Sequence, residues 1–168
     1  QPFLLPEYVD EKEMDSKNFD VNDKDPLFED AAKIIAEAKT LGKSSNLIQA
    51  AKNILKLGPT RVIIKKGEHG ALLFHKEAVF FAPALPLEEV FDPTGAGDTF
   101  AGGFIGHLAR SKDISFENMK TAIIVGSAMA SFCVEKFGAE RLKEINHDDI
   151  DERIQEFVQL VNFDIALI

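Results

Sequence analysis

The chain has 168 residues, 45% of them hydrophobic and 28% charged, which is the balance of one globular domain with a real core and not of a disordered or fibrous protein. A formal net charge of -9 argues against nucleic acid as a partner, because no basic patch is available to displace counterions from a phosphate backbone. No apolar run approaches the roughly 20 residues that span a bilayer, and QPFLLPEYVDEKEMD lacks the basic-then-apolar order of a signal peptide, so no membrane is expected and the cytoplasm is the expected compartment.

From Gln1 to Asp30 ten acidic residues stand against Lys12, Lys17 and Lys24, which reads as a solvated arm and leaves the rest of the chain close to neutral. Asp25-Pro26 then reads as a cap followed by proline at the first helical position. Leu27, Phe28, Ala31, Ile34, Ile35 and Ala38 recur at helical spacing until Gly42. Ser45 or Asn46 caps a second helix carrying Leu47, Ile48, Ala51, Ile54 and Leu55, and Gly58-Pro59 stops it. RVIIKK and ALLFH are two short apolar runs around the turn Gly67-Glu68-His69-Gly70. AVFFAP predicts a third strand, antiparallel to the second.

Helical spacing returns from Asp98 to about Arg110, and Ser115 caps a long helix from Phe116 to about Lys136 that ends at Phe137-Gly138. Gly126, Ser127, Ala128, Ala130 and Ser131 would admit a second helix backbone, with Gly102 and Gly106 as the matching small face. Packing thus stands level with function as the reason for those two glycines, each of which weakens a helix by roughly 1 kcal/mol. A last helix from about Asp148 to Val161 puts Ile150, Ile154, Phe157, Val158 and Val161 on one face. The single cysteine, Cys133, excludes an internal disulfide and reads as a small buried hydrophobe. Helices around a run of strands define the α/β class.

One stretch asks for chemistry: FDPTGAGDTFAGGF, Phe91 to Phe104, sets glycines and two aspartates around a predicted helix start. Gly95 and Gly97 take backbone angles other residues avoid and Ala96 adds almost no bulk, so successive N-H groups turn toward one point. The positive end of the helix dipole adds to their pull on an anion. A carboxylate beside an anion site, Asp98, is awkward unless it accepts a proton from a hydroxyl attacking phosphorus; the plainer reading makes Asp98 an N-cap. A Walker A loop is excluded because Gly95 leads to Asp98, Thr99 and Phe100 with no lysine. A dinucleotide fingerprint fails because Phe100 stands where its third glycine belongs.

DPTGAGDTFAGGF resembles, nearly without interruption, the C-terminal signature of the ribokinase-like (PfkB-type) carbohydrate and nucleoside kinases. VIIKKGEHGALLF is similar to the strand, turn and strand that lie against the nucleotide in that family, and the small-residue helix ending in KFGAE to the segment closing its adenine pocket. The resemblance covers about Asn46 to Asp164. It implies the C-terminal portion of a three-layer α/β/α sandwich, with residues 1–45 as a separate acidic arm and first helix and 46–168 as the nucleotide-binding portion. It further implies transfer of the γ-phosphoryl group of ATP, with Mg2+, to a hydroxyl of a small-molecule sugar or nucleoside. Asp98 matches the catalytic base, and the backbone of Gly95, Ala96 and Gly97 the anion hole. Gly67, Glu68 and Gly70 match the turn near ribose and phosphates, and Ser127 a position near the adenine where some members have asparagine. Asp92 and Thr94 resemble residues that hold a monovalent cation, K+, in many members.

Lys65 and Lys66 are candidates for phosphate contact or for a solvated strand end, and His69 and His107 read as surface or packing residues. The acceptor-binding residues, a Gly-Gly signature and the lid strands of the family are not recognisable. No asparagine has glutamate three positions later, so the Asn-x-x-Glu motif that helps organise magnesium is missing too. A fragment of a longer enzyme is therefore the expectation, a non-catalytic nucleotide-binding or interaction module is the rival reading, and a homodimer is left open.

Overall fold

The computed structural model describes residues 42–76 and 78–162; the acidic arm and the helix expected before Gly42 lie outside them. Asn46 is the residue that caps the first described helix, α1 (Leu47–Leu55), its Oδ1 accepting the Gln49 amide at 2.9 Å. Ala50, Ala51 and Ile54 form its buried stripe, and Gly58, at φ 130°, turns the chain away. Three strands follow, β1 (Val62–Lys65), β2 (Ala71–His75) and β3 (Ala78–Ala82), in an antiparallel sheet ordered β1-β2-β3. The register pairs Ile63 with Leu73 and Ala71 with Ala82.

Alternation along these strands splits the core into two layers. Val62, Ile64 and Phe74 meet Ala50, Ala51 and Ile54 of α1 on one face. Ile63, Ala71, Leu73 and Ala82 face the opposite way, onto Phe100, Phe104 and Leu108 of α2 (Ala96–Ser111) and Met119, Ala122 and Ile123 of α3 (Phe116–Cys133). Helix, sheet and helix pair make the α/β/α layering expected of the sequence. Each fully buried Phe, Leu or Ile contributes about 1.5–3 kcal/mol. Ser115 caps α3 through its Oγ and the Asn118 amide, at 3.2 Å.

Two sequence expectations are corrected in this layer. The close approach of α2 to α3 runs through Gly103 and Gly126: a Cβ on Gly103 would stand 3.1 Å from Gly126 Cα, and one on Gly126 2.7 Å from the Phe100 carbonyl oxygen. Gly102 and Gly106 have nothing within 4 Å of that position. At 100° per residue, Gly102 lies half a turn from Phe100, on the side away from the core. Helix α3 also ends at Cys133, short of Lys136: Glu135 N tightens onto the Phe132 carbonyl at 3.2 Å in place of an α-helical bond, and the Val134 carbonyl accepts the amides of Phe91 (2.9 Å) and Asp92 (3.4 Å) from the neighbouring loop.

A capping box between Asn146 and Asp149 starts α4 (His147–Val161), with Asn146 N donating to Asp149 Oδ2 at 2.8 Å. Ile154 and Phe157 pack on Ala128 of α3. Val158 and Val161, expected on the buried face, stay 47% exposed, since the contact is only as wide as the stripe centred on Ile154 and Phe157.

Candidate active site

The glycine turn is built by short local bonds. Asp92 Oδ1 accepts the Thr94 amide at 2.9 Å, and Ala96 N reaches the Pro93 carbonyl at 3.2 Å. Gly95, at φ 83°, is the N-cap of α2, a left-handed conformation that favours glycine. Thr99 N donates to the Gly95 carbonyl at 2.8 Å, which is the first bond of the helix. The amides of Gly95, Gly97 and Asp98 are left without an acceptor among the described residues, at the positive end of a 16-residue helix. Beneath the turn, the buried Cys133 thiol lies 3.7 Å from the Thr94 carbonyl, so this cysteine packs as expected.

Asp98 is the third residue of α2 and does not cap it, which removes the plainer reading of this carboxylate. Its side chain is exposed and accepts no hydrogen bond among the described residues. The Asp92 carboxyl is held below the usual carboxylate range, first by the Thr94 hydroxyl, then by the Thr94 amide, with the Gly138 amide contributing and desolvation opposing.

Lys65 shares the strand face of Ile63, two residues earlier, and that face looks onto α2. Its Nζ donates to the Gly97 carbonyl at 3.2 Å, beside the open amides. A Cβ on Gly97 would sit 3.2 Å from that ammonium, so the glycine makes room for the lysine. Alternation in RVIIKK thus separates Lys65 from Lys66, a distinction already present in the sequence.

A cavity of about 750 Å³ opens between the β1-β2 turn, the loop after β3 and the starts and ends of the helix pair. It brings together Lys65, Gly67, Glu68, Gly70, Ala96, Gly97 and Ser127 from the sequence-derived set. Gly95, Asp98, Asp92 and Thr94 do not line it; they sit along the turn that borders it at Pro93, Ala96 and Gly97. Gly67–His69 form a single 3-10 turn, and Gly70, at φ 85°, passes so close to the end of β3 that a Cβ there would overlap the Ala82 carbonyl oxygen, at 2.1 Å. His69 is exposed beside Glu68, and His107 Nε2 meets Asn118 Oδ1 at 3.0 Å between α2 and α3. Neither histidine borders the cavity.

Sequence reasoning missed the rest of the wall. Ala130, Ser131 and Val134 follow Ser127 at helical spacing, and Leu85, Pro86, Leu87 and Val90 come from the irregular segment after β3. The first group was within reach once Ser127 was chosen; the second has no period to betray it. No group of three or more His, Cys, Asp or Glu side chains is gathered in a metal-holding arrangement among the described residues. No described helix is long and apolar enough to cross a membrane.

Residues 28–146 match the pfkB family of carbohydrate kinases, and the chain belongs to that family. The match begins upstream of Asn46, inside the segment whose sequence offered no resemblance. Among curated relatives, the cytidine kinase of Thermococcus kodakarensis is 38% identical over 80 residues, 46% of this chain and 28% of that protein. The ribokinase of Staphylococcus aureus is 30% identical over 122 residues, 70% of this chain and 38% of that one. Among solved structures, aminoimidazole riboside kinase from Salmonella enterica, complexed with aminoimidazole riboside and an ATP analog, superposes with a TM-score of 0.62 and 29% identity. That match covers 77% of this chain and 44% of the kinase. The chain thus spans less than half the length of each of these relatives.

Proposed function

We propose that this chain carries the nucleotide- and phosphoryl-binding part of a kinase that moves the γ-phosphoryl group of ATP to a hydroxyl of a sugar or nucleoside. One observation carries the reading. The first turn of α2 leaves three amides open, Lys65 Nζ donates to the Gly97 carbonyl of that turn at the cavity rim, and the same turn carries the exposed, unengaged Asp98 carboxylate. Gly95, Gly97 and Asp98 supply the fixed main-chain donors for charge that grows on the transferring phosphoryl group, each worth about 10²–10³ in rate, whereas the Ala96 amide, expected among them, already donates to the Pro93 carbonyl. Asp98 takes the proton of the attacking hydroxyl, worth about 10²–10⁴. The main-chain donors need not reorganise as charge develops, because the turn is already fixed by Asp92, Pro93 and Thr94.

Mg2+ commonly binds through substrate phosphates and one or two carboxylates, so the lack of a larger acidic cluster among the described residues is compatible with it; Glu68 and Asp98 are the carboxylates at hand. Bound with the nucleotide, it would neutralise phosphate charge. The anionic Asp92 and the Thr94 oxygens have the hard-oxygen chemistry a monovalent cation takes. Residues 46–168 then form the nucleotide-binding portion, in the cytoplasm.

D98N tests the role of the base: phosphoryl transfer to a panel of sugars and nucleosides should fall about 10²–10⁴-fold while ADP affinity, by calorimetry, holds. Near-normal turnover would refute it. The second reading, a nucleotide-binding module without catalysis, is favoured by the position of Asp98, which does not line the cavity. It predicts ADP binding with transfer to no acceptor.

A further inference from the structure

Helix α3 presents Ser127 and Ser131 to the cavity one turn apart. Both are nearly buried, at 8% and 7% exposure, yet the fold treats their hydroxyls differently. Ser131 Oγ lies 2.7 Å from the Ala128 carbonyl oxygen and 2.8 Å from Arg153 Nη1. A carbonyl only accepts and a guanidinium only donates, so the roles are forced: the one Ser131 proton goes to Ala128 and one lone pair is taken by Arg153. Arg153 is itself fixed. Its Nη2 donates to Glu135 Oε1 at 2.7 Å, its Nε faces Glu156 at 3.4 Å, and its guanidinium carbon stands 4.0 Å from the Phe132 ring centroid. Glu135 is held in turn by Arg141 Nε at 2.9 Å. What remains to Ser131 is a lone pair. The Ser127 hydroxyl has no hydrogen bond among the described residues, so it is free to donate or accept.

We infer that Ser131, fixed as an acceptor by Ala128 and Arg153, is a specificity-determining residue for the nucleotide base, and that the cavity favours a base bearing an exocyclic amine over one bearing a carbonyl at the same edge. The inference rests on the nucleotide reading above. An amine directed at Ser131 completes its hydrogen bonding, whereas a carbonyl there sets acceptor against acceptor in a nearly dry site. Ser127 accommodates either and does not discriminate. Arg153 acts through Ser131 and is a positioning residue.

The test is calorimetric titration of the full chain with ADP and with inosine diphosphate, whose base carries a carbonyl where adenine carries its amine. The unaltered chain should bind ADP about 3- to 10-fold more tightly, the range of one hydrogen bond. S131A should bring the ratio close to one by weakening ADP. R153M, which lets Ser131 donate, should do so by strengthening inosine diphosphate relative to ADP, and S131A should add nothing to the ratio in the R153M background. Circular dichroism confirms that each variant is folded, and S131A keeps the test decisive should R153M unfold. A preference that survives S131A, or that falls with S127A instead, overturns the inference, as does R153M weakening both ligands in parallel. Failure of the unaltered chain to bind either ligand overturns the nucleotide reading and this inference with it.

Discussion

Alanine in place of glycine on the α2-α3 pair should have opposite effects at positions that look alike in the sequence. Each such change gains about 0.8–1 kcal/mol of helix propensity. At Gly102 and Gly106 nothing lies within 4 Å of the new methyl group, so G102A and G106A should keep that gain. At Gly126 the methyl carbon would stand 2.7 Å from the Phe100 carbonyl oxygen and 3.2 Å from its ring. An ordinary C···O approach is about 3.3 Å, so α2 must retreat by roughly 0.6 Å, and overpacking of this kind costs about 1–3 kcal/mol. Propensity cancels between G126A and G102A, which leaves the packing cost as their difference. Urea unfolding followed by circular dichroism should place the G126A midpoint below that of G102A by on the order of 1 M. Gly103 is intermediate, because Met129 can swing aside at 3.0 Å but Gly126 Cα, at 3.1 Å, cannot. Phe100 also borders the cavity, so the same retreat should weaken ADP binding in G126A and not in G102A. A G126A chain as stable as G102A would refute the packing argument.

K65M removes the ammonium beside the open amides and should weaken ADP about 10- to 100-fold while leaving adenosine binding unchanged, since a hydrogen bond to a charged group is worth about 1.5–3 kcal/mol; equal losses for ADP and adenosine would deny Lys65 a phosphate role. Asp92 gives a pH signature. Its carboxyl titrates lower in the folded chain than in the unfolded one, so the unfolded state binds more protons and the Asp92 contribution to stability is present above the ordinary carboxylate value, near pH 4, and lost as pH falls through the folded value. D92N should therefore unfold with a shallower acid limb than the unaltered chain. Parallel limbs would show that the Thr94 contacts do not favour the ionised form.

Elements with punctuation were legible. Asn46 and Gly58 bracket α1, Gly67 and Gly70 bracket the turn, and the short apolar runs RVIIKK and ALLFH on either side of it carried the first two strands. The turn at Thr94 to Asp98 was legible for the same reason, as glycine marks where backbone geometry matters more than side chains. Choices between neighbours were harder. Gly102 and Gly103 are adjacent, and only the stripe through Phe100 and Phe104 tells which meets α3. Ser131 escaped because α3 is small and apolar nearly all round, with buried residues from Met119 to Cys133 on several sides, so no polar face marks the side that borders the cavity. The segment Leu85 to Val90 has no period at all; its place follows from Phe91 and Asp92 bonding to Val134, a long-range contact that no local pattern encodes.

The sheet is a meander of chain neighbours, and α2 and α3 are a hairpin of chain neighbours joined by a few residues. Such units collapse quickly, because closing short loops loses little chain entropy. The Lys65 to Gly97 contact is of another kind, since it spans the joint between the two units and forms only after they dock. A phosphate-bearing ligand held on both sides of that joint would act as a rivet: by mass action its occupancy would raise the free energy of prising meander from hairpin.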